Sequence, residues 1–176
     1  MGLGAWLAQY ARTNLAHWFV VAEMALAFVG GMSALGLFAA YVVFQDGFVI
    51  VLGLFCVAIG SLVGLEIPIL LRIVESGSSV RLAVSRVLAV DYVGALLGSV
   101  LFPLVLLPYL GLVRTAALLG LLNLVVAFVA IHILRRELTQ VGKLYTGGAF
   151  VGLALLAVFA TAGNTTSWAE DNLYQD

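Results

Sequence analysis

The sequence predicts an all-α integral membrane protein, a polytopic bundle of about five transmembrane helices. Two observations carry this. Of 176 residues, 64% are hydrophobic and 10% charged, where a soluble domain runs at about 45–50% and about 25%; the mean hydropathy is +1.17. The apolar runs are also far longer than the roughly ten alternating residues of a barrel strand, and they match the ~20 residues of a membrane helix. A net charge of −1 supports no nucleic-acid partner. Cys56 is the only cysteine. It can form no internal disulfide, and its apolar run makes it a small core residue. Nothing at the N-terminus reads as a signal peptide, which would need a basic region and a cleavage site. Met1-Gly2 is not a good myristoylation site, because Trp6 stands where Ser or Thr is required.

The chain divides into a transmembrane domain over residues 1–162 and a polar, acidic tail over 163–176. Gly2, Gly4 and Trp6 look like the last turns of a helix, before polar Gln9, Arg12 and Asn14. The first full span covers about 15–44, with Gly30, Gly31 and Gly36 favouring close packing. Gln45-Asp46-Gly47 reads as a tight turn. The second span, about 48–74, carries Gly60-x-x-x-Gly64, Glu66 and Pro68. Glu75 to Ser79 reads as a polar loop, with Arg81 and Arg86 flanking a short helix beyond it. The third span, about 87–110, carries Asp91, Gly94-x-x-x-Gly98, Pro103 and Pro108. Leu110 to Arg114 reads as a turn into the fourth span, about 115–134, with Asn123 near its middle. Arg135, Arg136, Glu137 and Lys143 form a basic loop. The fifth span, about 145–162, carries Gly148-x-x-x-Gly152. Trp6, Trp18, Tyr109, Tyr145 and Trp168 fall near span ends, as an aromatic belt requires.

Basic residues orient these spans. Arg12, Arg72, Arg81, Arg86, Arg135, Arg136 and Lys143 fall on one side and only Arg114 on the other. The N-terminus and basic loops are therefore expected in the cytoplasm, and the acidic tail opposite.

The stretch Arg86–Gly111 is expected at the centre of the bundle. It combines an acid, a glycine pair and two prolines, and lipid penalises an uncovered carboxylate by about 3 kcal/mol. Pro103 and Pro108 each strand a carbonyl four residues back and read as helix kinks. Pro68 does the same beside Glu66, where an acid, a glycine and a freed carbonyl also resemble a broken transporter helix. Glu23, Glu66 and Asp91 lie at comparable depths, near Arg72 and Arg86. Two readings stand. In the first, the arginines pair with Glu66 and Asp91 and lock helices together, since long side chains reach such partners. In the second, the acids form a proton or cation site. His17 and His132 read as interfacial histidines, because a metal needs more ligands in a defined geometry. Asn123 is expected to hydrogen-bond across helices. No metal site, cofactor site, nucleophile–base pair or phosphate loop is legible.

Three runs carry a more specific likeness. They are Gly64-Leu-Glu-Ile-Pro-Ile-Leu-Leu-Arg72, Ser85-Arg-Val-Leu-Ala-Val-Asp91 continuing to Pro103, and Leu107-Pro-Tyr-Leu-Gly-Leu-Val-Arg-Thr115 with Leu121-Leu-Asn123. Together they resemble the membrane region of membrane-fused spermidine synthases, the polyamine aminopropyltransferases. Trp168 to Asp176 resembles the junction at which that family enters its soluble synthase domain. The family has about seven spans; Gly2–Tyr10 looks like the end of its second, and the synthase domain has no counterpart here. The resemblance therefore implies a bacterial inner-membrane module without catalytic residues or cofactor. Its partners would be the lipid bilayer and either other membrane subunits or a synthase-like domain, for which it acts as anchor, scaffold or accessory subunit. The alternative is a carrier or channel for a polyamine or another cation, using the intramembrane acids.

Overall fold

A computed structural model describes residues 1–11, 13–43, 47–75 and 80–173, with the backbone alone at 74–75, 80–83 and 163–173. Arg12, the turn at Gln45-Asp46, the loop through Ser79, the Arg81 side chain and the side chains of the tail lie outside what it describes. All its regular elements are helical. Helix α1 (Gly2–Leu7) runs into a 3-10 turn (Ala8–Tyr10); α2 is Leu15–Val43, α3 Phe48–Glu75 and α4 Val80–Leu101. A π-helical segment (Phe102–Leu106) leads into α5 (Leu107–Ile133), and α6 is Val141–Leu173, so its helix continues into the tail. Four helical runs are long and apolar enough to cross a membrane: Leu15–Val43, Phe48–Ile73, Val84–Ile133 and Val141–Ala162.

Local chemistry sets the ends of these elements. Asn14 has φ 56°, a left-handed conformation that asparagine tolerates, and its carbonyl accepts the N–H groups of His17 and Trp18. Gln140 repeats the device at the start of α6, with φ 61° and its carbonyl taking the N–H groups of Lys143 and Leu144.

The run Val84–Ile133 has 50 residues. Straight, it would be about 75 Å long, more than twice the ~30 Å hydrocarbon core. It breaks at Gly111, where φ 74° and ψ 175° are accessible in effect to glycine alone. Gly111 lies inside the stretch read as a turn. The chain reverses there, because Gly94 and Asn123 line one groove; in a straight helix they would be about 43 Å apart. The Thr115 hydroxyl donates to the Leu106 carbonyl at 3.1 Å and stitches the break.

The centre of the molecule is α2, which packs on α5, α3 and α6. Its tightest crossing is with α5. A Cβ added at Gly120 would stand 2.6 Å from the Ala27 carbonyl oxygen and 2.9 Å from the Gly31 Cα. Leu155 of α6, fully buried, closes the crossing with its methyl groups against both glycines. Other glycine contacts extend the same principle. Gly148 faces the Phe128 ring and Gly152 the Leu124 side chain. Gly4 sits on the Ser61 backbone, and Gly60 and Gly64 sit on that of Met1, which seats α1 on α3. One apolar cluster gathers Ala8, Phe19, Ile69, Ile131, Leu138 and Leu144 at one end of the bundle. A second gathers Ala34, Val113, Ala117, Val158 and Ala162 towards the other.

The stretch expected at the centre lies outside it. Among the described residues, helix α4 packs on α3 and the π segment alone. Residues 88–105 are exposed, and a Cβ at Gly94 or Gly98 would meet nothing within 4 Å. The central position goes instead to α2, which meets α5 at close backbone approach through Gly31 and Gly120. Cys56, read as a core residue, is also exposed. Pro68 lies within α3 and Pro108 in the first turn of α5. Pro103 lies in the π segment, where the Leu107 N–H reaches back to the Phe102 carbonyl.

Two substitutions separate these glycine classes. Gly120→Val drives two methyl groups into backbone and is expected to cost about 1–3 kcal/mol or more. Gly94→Val meets open space and replaces glycine by a residue of no lower helix propensity, so it should cost little. Thermal unfolding in detergent should fall clearly for the first and hardly for the second; equal losses would contradict the crossing.

Candidate functional site

Glu23 is the most buried charged residue described, 4% exposed at the heart of α2. Across the α2–α3 interface its carboxyl lies within hydrogen-bonding reach of the half-buried Glu66 carboxyl. Two carboxyls within such reach can satisfy each other where one carries a proton. Burial without a partner would cost each group several kcal/mol.

Arg72, six residues beyond Glu66, turns elsewhere. Its Nη1 donates to the carbonyl oxygens of Ala8 at 2.9 Å and Ala11 at 3.2 Å. The Ala8 oxygen also accepts the Ala11 N–H at 3.2 Å, and the Ala11 oxygen lies just past the end of the 3-10 turn. A guanidinium supplies several donors in a fixed fork, so Arg72 ties the first residues of the chain to α3. Among the described residues no ion pair joins Glu66 or Asp91 to Arg72 or Arg86. Arg86 and Asp91 are both exposed on α4. The five residues expected to meet thus separate into a carboxyl pair, a backbone clamp and two side chains on the outer arm. His17 adds a feature that sequence reasoning passed over: its Nδ1 is buried without a hydrogen-bond partner. His132 is exposed near the end of α5. Among the described residues no group of three His, Cys, Asp or Glu side chains could hold a metal ion.

A groove of about 800 Å³ runs between α2, α3, α4 and α5, lined among others by Gly30, Ser33, Ile59, Val63, Gly94 and Asn123. Its hydroxyls are occupied: Ser33 Oγ donates to the Gly30 carbonyl at 2.6 Å, and Thr115 to Leu106. The Asn123 amide has no partner among the described residues. The acids share the faces that form the groove. Glu23, Leu26, Gly30 and Ser33 follow one another at helical spacing on α2, as do Ile59, Val63 and Glu66 on α3. The carboxyl pair therefore lies about one turn beyond the groove's end. Such an arrangement can hold and exchange a proton, and could hold a cation if both carboxyls ionise. The equal depth of Glu23 and Glu66 was legible in the sequence; their pairing was not.

No family model matches the chain, and no solved structure does. Curated relatives match it over its full length. It is 41% identical to polyamine aminopropyltransferase 2 of Ralstonia nicotianae, over 100% of this chain and 36% of that protein. It is 39% identical to the polyamine aminopropyltransferase of Leptospira interrogans, over 100% of this chain and 35% of that one. With polyamine aminopropyltransferase 1 of Streptomyces coelicolor it shares 37% identity, over 97% and 32% of the two chains. The chain is thus homologous to the polyamine aminopropyltransferases along its whole length, and it spans about a third of theirs.

Proposed function

We propose that this chain is a non-catalytic membrane module of a polyamine aminopropyltransferase-like protein. It serves as anchor or scaffold for a synthase-like domain, or as accessory subunit of a larger membrane complex. The observation that carries the reading is the homology itself. It runs the whole length of this chain yet takes in only about a third of each relative, and that third is rich in candidate spans. The described side chains offer a carboxyl pair and a backbone clamp, and no nucleophile beside a base. The purified chain is expected to transfer no aminopropyl group from decarboxylated S-adenosylmethionine to putrescine. Turnover above a heat-treated control would overturn the proposal.

The proposed setting is a bacterial inner membrane, with the N-terminus and the basic loops cytoplasmic and the tail opposite. Supporting this, the first residues, the α3 end bearing Arg72 and the loop bearing Arg135, Arg136 and Lys143 converge. Ala8, Ile69, Ile131, Leu138 and Leu144 share one apolar cluster, so the basic groups gather at one end of the bundle. In a Cys56→Ala background, Ser167→Cys should react with an impermeant thiol reagent from the non-cytoplasmic side. Labelling from the cytoplasm would reverse the orientation or change the number of crossings.

The alternative, a cation carrier, draws its support from the Glu23–Glu66 pair beyond the groove. The two readings differ at Glu66→Gln. A glutamine still donates to Glu23, so a structural pair loses little stability, whereas Glu66→Ala leaves a buried carboxyl unmatched and costs about 1–3 kcal/mol. In a structural pair, the Glu23→Ala and Glu66→Ala losses in detergent should also fall short of additive by about 0.5–3 kcal/mol. A cation flux in liposomes that Glu66→Gln abolishes while the melting temperature stays unchanged would favour the carrier.

A further inference from the structure

We infer that the face of α4 bearing Asp91, Gly94 and Gly98 is a docking surface for a transmembrane helix of another membrane polypeptide, one that carries a lysine or arginine opposite Asp91. The inference rests on the accessory-module reading and gives it a partner chemistry.

At 100° per residue the three side positions fall within about a 60° wedge of the helix, so α4 has a single face that joins an acid to two gaps in side-chain bulk. Asp91 lies five residues, about 7–8 Å, farther along the axis than Arg86, within the run long and apolar enough to cross a membrane. It is exposed and has no partner among the described residues. Among the described side chains no charged group of the elements packed against α4 faces the same wedge: Glu66 of α3 faces Glu23, Arg72 is bound to Ala8 and Ala11, and the π segment is apolar.

The space beside this face has the shape of a helix slot. Gly94 lines the groove of about 800 Å³. Across it stands α5, yet no Cα of α4 lies within 8 Å of one in α5 among the described residues; directly packed helices have axes about 8–10 Å apart. The volume equals roughly one to two turns of a helix about 10 Å wide. The amide of Asn123 waits on the far wall without a partner. Lipid tails would leave both polar groups unmatched, at several kcal/mol for each unsatisfied group. A helix with a basic residue matches Asp91 in charge, meets Gly94 and Gly98 at close backbone approach, and can offer Asn123 a hydrogen bond. A second copy of this chain fits poorly, because Arg72 is engaged and the remaining cations lie at span ends.

The probe is a synthetic Leu/Ala transmembrane peptide of about 20 residues with a single lysine at the depth of Asp91, and the same peptide with leucine there. Binding to the full chain in lipid vesicles is read by energy transfer. The lysine peptide should bind about tenfold or more tighter than the leucine peptide. Asp91→Asn should erase that preference, and Gly94→Leu should weaken both peptides. Neither variant touches a neighbour within the fold, so unchanged helical circular dichroism and melting show that each remains folded. As a reciprocal check, Asp91→Lys should prefer a glutamate peptide. Equal binding of the two peptides, or a preference that survives Asp91→Asn, overturns the charge-matched interface. No binding means that lipid covers the face. Self-association that the lysine peptide cannot compete away assigns the face to a second copy. Each of these results overturns the proposed charge-matched docking surface while leaving the anchor reading intact, which aminopropyl transfer by the purified chain would sink instead.

Discussion

The architecture depends on one backbone approach, the crossing of α2 and α5 at Gly31 and Gly120 under the side chain of Leu155. In water a helix pair is driven together by removing apolar surface from solvent. In lipid that drive vanishes, since the surroundings are as apolar as the helices, and close packing has to supply the stability. Dispersion falls steeply with distance, so a close backbone approach gains most per residue. The α2–α5 pair has glycine on both sides at one level, with the Ala27 carbonyl against Gly120. Helix α6 then docks onto the crossing through Leu155, and α3 takes the remaining flank of α2. Both apolar clusters are consequences, one at each end of the crossing.

The helices and the break near Gly111 were legible in the sequence because hydropathy and glycine or proline punctuation act locally. The centre was not, because it depends on which two faces meet. The G-x-x-x-G pairs drew attention to Gly94 and Gly98, which touch nothing, and to Gly60, Gly64, Gly148 and Gly152, which seat neighbours. The α2–α5 crossing uses Ala27-x-x-x-Gly31 and Ala116-x-x-x-Gly120. These have the same small-residue spacing with alanine as one member, and in a chain so rich in alanine that spelling does not stand out. Gly120 itself lies in a leucine run that reads as a plain span.

The polar groups show a second limit. Depth could be read from residue counts, and it correctly put Glu23 and Glu66 at similar levels. Rotational phase could not, and it decides partners. The expectation that acids seek arginines is sound for ionised groups in low dielectric. It weakens once a carboxyl can keep its proton, because a protonated acid is both donor and acceptor and two acids can then satisfy each other. Arg72 had a stronger claim on it in any case. The Ala8 and Ala11 carbonyls lie at a chain bend that packs with buried Ile69 and Val20, and the fork of a guanidinium can serve both.

Glu23 and Asp91 are the same kind of group on comparable apolar helices, and the fold treats them oppositely. One is enclosed by α2 and α3 and matched by another carboxyl. The other is carried on an arm that packs on α3 and the π segment, separated from α5 by the π turn at Pro103 and the left-handed Gly111. An isolated acid in hydrocarbon costs about 3 kcal/mol on the mildest scale, a substantial part of the 5–15 kcal/mol by which a typical domain is stable. Among the described residues no group faces Asp91, and a basic residue on a docked helix is the match that the proposed interface would supply.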